Sequence, residues 1–467
     1  MEYRNEKLEE FNKFVEGKRV AIIGLGVSNI PLIDYFYKYN AKVSVFDNRE
    51  ADKIDTEIFE KLEKYNFDYY LGADNLSNLK GFDIIFRSPS AMPFIPEIRK
   101  EVERGAILTT EIEMVLNLTP GTVIGITGSD GKTTTTSLIY EIVKEAGYSC
   151  YLGGNIGTPL FTEIENMKPE DIIVLELSSF QLMDMEKSPK ISVVTNVTPN
   201  HLNVHSSYEE YIDAKANLFK YQNEDGIVVL NNDNEITKGF SKDTNGKSIL
   251  FSSKSKLQDG YIYDDGMIKY CEDGVRRHIV STKEIALRGI HNYENICAAL
   301  AATKSLVDEE TQVRAIKKFK GVEHRIELVR ELNGVKWYND SIGTSPTRTI
   351  AGLNSFEENI ILIAGGYDKN LDYTPIGKPI VDNVGTLILM GATADKIEKA
   401  VQDVLAKEGK VMPIYRCDTL EQTVNLANEK AKMGDVVLFS PASASFDLFK
   451  NFAERGEKFK ELVLKIK

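Results

Sequence analysis

Hydrophobic residues along the chain gather in short, dense runs that end in glycine or a polar residue, with helical stretches between them. "RVAII" (19–23) stops at the turn "GLGVSN", "NIPLIDYFYKYN" follows with helical spacing, and "AKVSVFD" closes on Asp47. Strand, helix, strand in that order predicts a βαβ unit and a parallel sheet. "FDIIFRSPSAMP" adds a strand that runs into a proline-containing loop. A second series starts at "GTVIGITGSDGK" (121–132) and continues with "EDIIVLELSSFQL" and "ISVVTNVTPNHLN". A third comprises "NIILIAGGYDK", "GTLILMGATADKI" and "GDVVLFSPASAS". The texture changes over 240–290, where "KSILFSSKS", "DGYIYDDGMIKY" and "VRRHIVSTK" predict short alternating strands with Asp-Gly turns, a small antiparallel patch. "HNYENICAALAATKSL" predicts a helix. The expected architecture is α/β in three domains, residues 1–110, 111–322 and 323–467.

Composition narrows the function classes. A chain of 467 residues is long enough for about three domains. A net charge of −13 lacks the broad basic footprint of a nucleic-acid binder, so anionic substrates must be met by local clusters and backbone amides. Cys150, Cys271, Cys297 and Cys417 are scattered, which suits neither a disulfide framework nor a zinc site. The charged start "MEYRNEKLEEFNKF" has no signal-peptide core, and no apolar run approaches the roughly 20 residues of a membrane span. A soluble, cytoplasmic protein without membrane insertion is expected.

The candidate chemistry centres on "TGSDGKTTT". In GxxxxGK[ST] the first glycine lies five residues before the second, but here that position is Ile126, and the glycines are Gly125 and Gly128. The mechanism of such a loop survives the shift. Backbone amides of Gly128, Ser129, Asp130 and Gly131 can curl around phosphate oxygens at a helix start. Lys132 can reach the outer phosphates, and Thr133 can ligate Mg²⁺, with Thr134 beside it. Glu176, at the end of an apolar strand, is either a helix cap or, beside this loop, a Mg²⁺ ligand. His201 follows a strand of the same series and is a metal or phosphate candidate, whereas His205 reads as structural. "GLGVSN" is either a tight turn or a nucleotide-diphosphate site with Asp47 as ribose acceptor, although Asn29 stands where a third glycine would be. Lys215 reads as an ordinary helix lysine. Asn292 and Asn295, three apart on one helix face, suit a purine edge or a cap. Arg325, Asp340, Lys369, Ser443 and Ser445 follow strands of the third series, and each alone says little.

As a set, "TGSDGKTTT", "GGNIGTP", "ELSSFQL", "NVTPNHLNVH", "HNYENICAAL", "EHRIE", "NDSIGTSP" and "SPASASFDLFKNFAERG" resemble the Mur ligase family, ATP-dependent amide-forming enzymes of bacterial cell-wall precursor synthesis. The resemblance covers essentially the whole chain. It implies a Rossmann-like first domain, a P-loop ATPase-type α/β central domain, and a Rossmann-like last domain that closes over the site. The implied substrates are ATP, UDP-N-acetylmuramoyl-L-alanine and D-glutamate, used by a monomer with two Mg²⁺ ions. The UDP substrate would be held by Ser28, Asp47, Asn48, Arg49, Ser88, Asn155, Ser179 and Gln181. ATP would meet the loop together with Asn292, Asn295, Arg325 and Asp340. Thr344, Lys369, Ser445 and Phe452 would surround D-glutamate. The resemblance also makes Lys215 the lysine that relatives carbamylate, a metal ligand beside Thr133, Glu176 and His201. Ile342 departs from relatives with a lysine immediately after Asn-Asp-Ser, and a cationic contact there is missing. Rival classes are a P-loop phosphotransferase or regulatory ATPase, a nucleotide-sugar binding protein without turnover, and a ligase for another amino acid or for folate.

Overall fold

The computed structural model describes residues 3–200, 204–369 and 371–467. Three sheets organise the chain. The first is wholly parallel, in the order β3 (Asp68–Leu71), β2 (Lys42–Asp47), β1 (Arg19–Ile23), β4 (Ile84–Arg87), β5 (Ile107–Thr109). The second contains β6 (Thr122–Thr127), β7 (Cys150–Gly154), β8 (Ile172–Glu176), β9 (Ile191–Val194), β10 (Ile227–Asn231), β11 (Lys247–Ser252), β12 (Gly260–Asp264), β13 (Met267–Glu272) and β14 (Val275–Ser281). Its order is β14-β13-β12-β11-β10-β9-β6-β8-β7. The third runs β15 (Glu327–Leu332), β16 (Val335–Asn339), β20 (Val436–Phe439), β17 (Ile360–Ala364), β18 (Val384–Leu389), β19 (Ile414–Arg416), antiparallel only at β15. The strand interiors are Val, Ile and Leu, as sheets covered on both faces require.

The expected small antiparallel patch of 240–290 forms at the edge of the second sheet, but without β11. β11 pairs parallel with both β10 and β12, and only β12, β13 and β14 are antiparallel to one another. The alternation of "KSILFS" fixes which residues are buried, not the direction of the neighbouring strand. The Asp-Gly turns form as expected, with positive φ at Asp265 and Gly266 and at Asp273 and Gly274.

The chain divides into two compact units, 1–281 with 294–316, and 282–293 with 317–467. The first two sheets belong to one unit because they share a core. Val20, Ile22, Phe36 and Phe86 from the first and Leu175, Leu177 and Leu182 from the second lie in a single buried cluster. Phe161 joins them, its ring 4.7 Å from Tyr35, 6.0 Å from Phe86 and 6.0 Å from Phe11. Burying such a ring contributes about 1.5–3 kcal/mol. Both Leu160 and Phe161 donate their amides to Glu111 Oε1 at 2.9 Å, which ties this turn to the helix Glu111–Leu118. Among the described residues no helix is long and apolar enough to cross a membrane.

Candidate active site

β6 ends at Thr127, and the loop Gly128–Gly131 delivers the chain into the helix Lys132–Glu145. Glycine is required at both ends of the loop. A Cβ on Gly128 would lie 1.8 Å from Thr195 Oγ1, and one on Gly131, at φ +80°, would lie 2.4 Å from Asn295 Oδ1. The loop is braced from β9: Thr195 Oγ1 donates to Asp130 O at 2.6 Å, and Asp130 N donates to Asn196 Oδ1 at 2.9 Å. Ser129 Oγ sits 2.8 Å from the Tyr211 hydroxyl and donates to Thr198 O at 2.9 Å. Thr195, Asn196 and Tyr211 were not among the expected site residues. The signal for Thr195 and Asn196 in the sequence is the strand end "TNVTPN", after the strand adjacent to β6 in the sheet; Tyr211 comes from the helix Tyr208–Lys220.

Two lysines converge on the loop. Lys132 Nζ donates to Gly128 O at 2.9 Å and Ser129 O at 3.0 Å. Lys215, 1% exposed on the helix Tyr208–Lys220, donates to Gly128 O at 2.9 Å and Thr127 Oγ1 at 3.4 Å, above the Tyr211 ring. Burial, and then the charge of Lys132, push the Lys215 amine well below its ordinary value. A buried amine that gives up its proton more readily than an ordinary lysine therefore stands at the loop, which its helix-lysine pattern does not announce.

The parallel register sets Ile126 of β6 beside Glu176 of β8, so the carboxylate emerges next to the loop. Glu176 is 1% exposed; Oε1 accepts from Asn155 Nδ2 at 2.8 Å, whereas Oε2 is buried with no hydrogen-bond partner among the described residues. A buried carboxylate oxygen left in this condition is costly and suits a hard cation. Thr133, partly exposed in the first turn of the loop helix, is the neighbouring oxygen donor. The residues present therefore fit Mg²⁺. His201 lies outside the described residues.

Ser178 and Gln181 form a reciprocal cap on the short helix Ser179–Leu182. Ser179 Oγ lies 2.9 Å from Nε2 of His205, a ring buried flat against Phe180 and held below its usual pKa by that burial. His205 is structural, as its pattern suggests. Of the two amides, Asn295 Oδ1 accepts from Thr135 at 3.3 Å in the first unit. Asn292 donates to Arg288 O at 2.7 Å in the second, because the division between the units falls within their helix, Ile290–Thr303.

At the first sheet, Gly24 turns with φ +86° close against Ser88, whose Oγ would be 2.4 Å from a Cβ there. Asp47, the expected ribose acceptor, is 5% exposed and already engaged. Its Oδ2 accepts from Leu25 N at 2.7 Å and its Oδ1 from Arg49 N at 2.9 Å, with the Arg49 guanidinium paired to both oxygens. Burial raises the Asp47 carboxyl, but the bonds from Arg49 and Leu25 outweigh it and hold the group below its ordinary value. Asn29 supplies what a third glycine could not: its Nδ2 donates to Ile23 O and Gly24 O at 3.1 and 3.0 Å and pins the turn. Ser28 is half-buried, and Asn48 and Arg49 are exposed.

In the second unit, Asp340 is buried beyond β16, accepting from Ser440 Oγ at 2.6 Å and Ile326 N at 3.3 Å. Burial drives its pKa up to about 6, against the opposing pull of Ser440 and Arg325. The folded carboxyl thus binds its proton more tightly than the unfolded one, whose ordinary value is 3.8. This stabilisation is present at low pH and is lost as pH rises through 6. Asp340→Asn should therefore gain stability relative to the parent by roughly 1 kcal/mol more at pH 8 than at pH 5. Urea unfolding read from Trp337, the chain's single tryptophan and buried on β16, measures it; an equal difference at both pH values would refute the shift.

Lys369 Nζ stands 5.2 Å from the Phe446 ring, and its loop is tied to the Ser443–Ser445 loop by the bridge between Tyr367 and Ala444. Ser445 is 2% exposed, Thr344 is half-buried, and Phe452 opens the last helix with its carbonyl accepting from Ser341 Oγ at 2.7 Å. At the departure noted above, the Arg348 guanidinium donates to Ile342 O at 3.3 Å, so a cation does reach this loop.

A glycine phosphate loop on a parallel sheet, with two lysines and a buried carboxylate around it, defines a nucleotide-using α/β enzyme of the phosphoryl-transfer class. Comparison with known proteins makes this specific. Three family profiles match in order: "Mur ligase MurD-like, N-terminal domain" over 18–110, "Mur ligase middle domain" over 126–303, and "Mur ligase, glutamate ligase domain" over 324–443. A UDP-N-acetylmuramoylalanine--D-glutamate ligase from Acetivibrio thermocellus is 50% identical over 98% of this chain and 99% of its own. One of the same name from Ruminiclostridium cellulolyticum is 49% identical over 99% and 100%. Among solved structures, UDP-N-acetylmuramate-alanine ligase MurC from Thermotoga maritima shares the fold with a TM-score of 0.58 and 19% identity, covering 95% of this chain and 98% of that one. MurF ligase from Thermotoga maritima in complex with ADP does so at 0.54 and 19%, covering 97% and 96%. The chain belongs to the Mur ligase family.

Proposed function

We propose that the protein is an ATP-dependent ligase that joins D-glutamate to UDP-N-acetylmuramoyl-L-alanine, a step of peptidoglycan precursor synthesis in the cytoplasm. The observation that carries the reading is the grouping of Lys132, Lys215 and Glu176 around the phosphate loop. It occurs in a chain half identical, end to end, to relatives of that name.

A carboxylate does not form an amide at neutral pH, because oxide is too poor a leaving group. An oxygen of the substrate carboxylate attacks the γ-phosphorus of ATP, the bond to ADP breaks, and an acyl phosphate results. The loop amides and Lys132 hold the phosphoryl oxygens and offset their charge as the bond shifts. Asn292 and Asn295 would contact the adenine, and Arg325 and Asp340 would reach the phosphate and ribose of ATP. The free amine of D-glutamate then attacks the acyl carbon and phosphate leaves; Lys369, Thr344, Ser445 and Phe452 are the amino-acid contacts. Thr133, Glu176 and Lys215, with His201, would hold two Mg²⁺ ions, which when bound neutralise phosphate charge. Lys215 would serve as a carbamate. Its ammonium would give up one proton, and the amine would then add to CO₂ with release of a second, so that a cationic side chain becomes a carboxylate without a change of backbone.

Phosphate release measured with ATP, the nucleotide sugar and a panel of amino acids tests the reading. Release should require both the nucleotide sugar and D-glutamate. Release with neither would assign a plain ATPase instead.

A further inference from the structure

Arg87 closes β4 in the middle of the first sheet and is fully buried. Each of its five N–H groups is used. Nε donates to Asp184 Oδ2 at 2.8 Å and Nη2 to Asp184 Oδ1, a bidentate pair. Nη2 also donates to Phe180 O at 3.1 Å, and Nη1 to Ala91 O and Ser88 O at 3.3 and 3.4 Å. The partners fall in two places. Ser88 and Ala91 bound the loop that lies against the Gly24 turn, at the end assigned to the nucleotide. Phe180 and Asp184 belong to the segment that leaves Glu176, the proposed Mg²⁺ ligand beside the phosphate loop where the substrate carboxylate would react. One planar guanidinium therefore fixes both loops, a geometry that lysine, with a compact three-donor head, cannot reproduce.

We propose that Arg87 and Asp184 are positioning residues that set the span between the nucleotide turn and the Glu176–Ser179 segment. In this way they select a nucleoside-diphosphate sugar whose carboxylate lies at the matching distance. The proposal rests on the nucleotide-sugar reading of the first sheet. A merely cohesive ion pair can be replaced by well-packed apolar side chains with little loss, whereas a spacer cannot.

The test uses the full-length protein and the double variant Arg87→Met/Asp184→Leu, which leaves no unpaired buried charge, together with Asp184→Asn. Steady-state phosphate release should give a KM for the nucleotide sugar at least tenfold higher in both variants. The KM values for ATP and D-glutamate should stay within twofold, and the melting temperature of the double variant should stay near that of the parent. Discrimination against UDP-N-acetylmuramate, shorter by the alanyl residue, should narrow. A double variant with parental melting and an unchanged KM overturns the positioning role. Calorimetric titration of UDP into the parent separates the two levels: failure to bind overturns the nucleotide reading itself, and with it the span it defines.

Discussion

Lys132→Ala should lower the rate of nucleotide-sugar- and D-glutamate-dependent phosphate release by on the order of 10³-fold or more. The expected size follows from what the side chain does. Its ammonium is anchored on the carbonyls of Gly128 and Ser129, so it is held over the loop before any phosphate arrives. Preorganised charge of this kind acts on the transferring phosphoryl group without a cost of reorganisation. The loop itself should survive the change, because Thr195, Asn196 and the Thr135 N to Gly131 O bond hold its backbone independently. The charge of Lys132 also lowers the pKa of the Lys215 amine, second only to burial. Removing it therefore weakens both lysines' functions at once. Near-parental turnover in Lys132→Ala would remove the phosphate-loop assignment.

Lys215→Ala should be inactive, with a loss of at least roughly 10²-fold, and a small carboxylate such as acetate at millimolar concentration should restore part of the activity. Alanine leaves a cavity lined by Tyr211, Thr127 and the Gly128 carbonyl, on the side of the loop where the missing anion belongs. The added carboxylate would take the place of the proposed carbamate's oxygens. A lysine that only braced the loop through Gly128 O would predict a different result: loss of activity indifferent to carboxylate, with rescue by a cationic amine. Full activity in Lys215→Ala would end the carbamate role.

Much of the fold was legible in the chain because dense apolar runs ending in polar residues leave few alternatives to parallel strands. The glycine loop was legible as a strand-to-helix turn despite its shifted glycines, and Gly128 and Gly131 are closed in by Thr195 and Asn295. What local pattern could not carry was partnership. The alternation of β11 did not specify a parallel neighbour. Asp47 reads as a ligand group by spacing, yet its oxygens are taken by Leu25 and Arg49. Lys215 looks like any helix lysine until burial is known. Arg87 and Asp184 are nearly a hundred positions apart, and nothing near either one names the other.

The core that Phe161 shares between the first two sheets places both in one compact unit. Opening that shared cluster exposes apolar side chains from both sides at once, which disfavours loss of one sheet's cover alone. A ligand gripped at the Gly24 turn and one gripped at the phosphate loop then stabilise the same cooperative transition. If the nucleotide of the sugar substrate and that of ATP bind at these places as proposed, each would favour the other through this shared core, without any conformational signal passing between them.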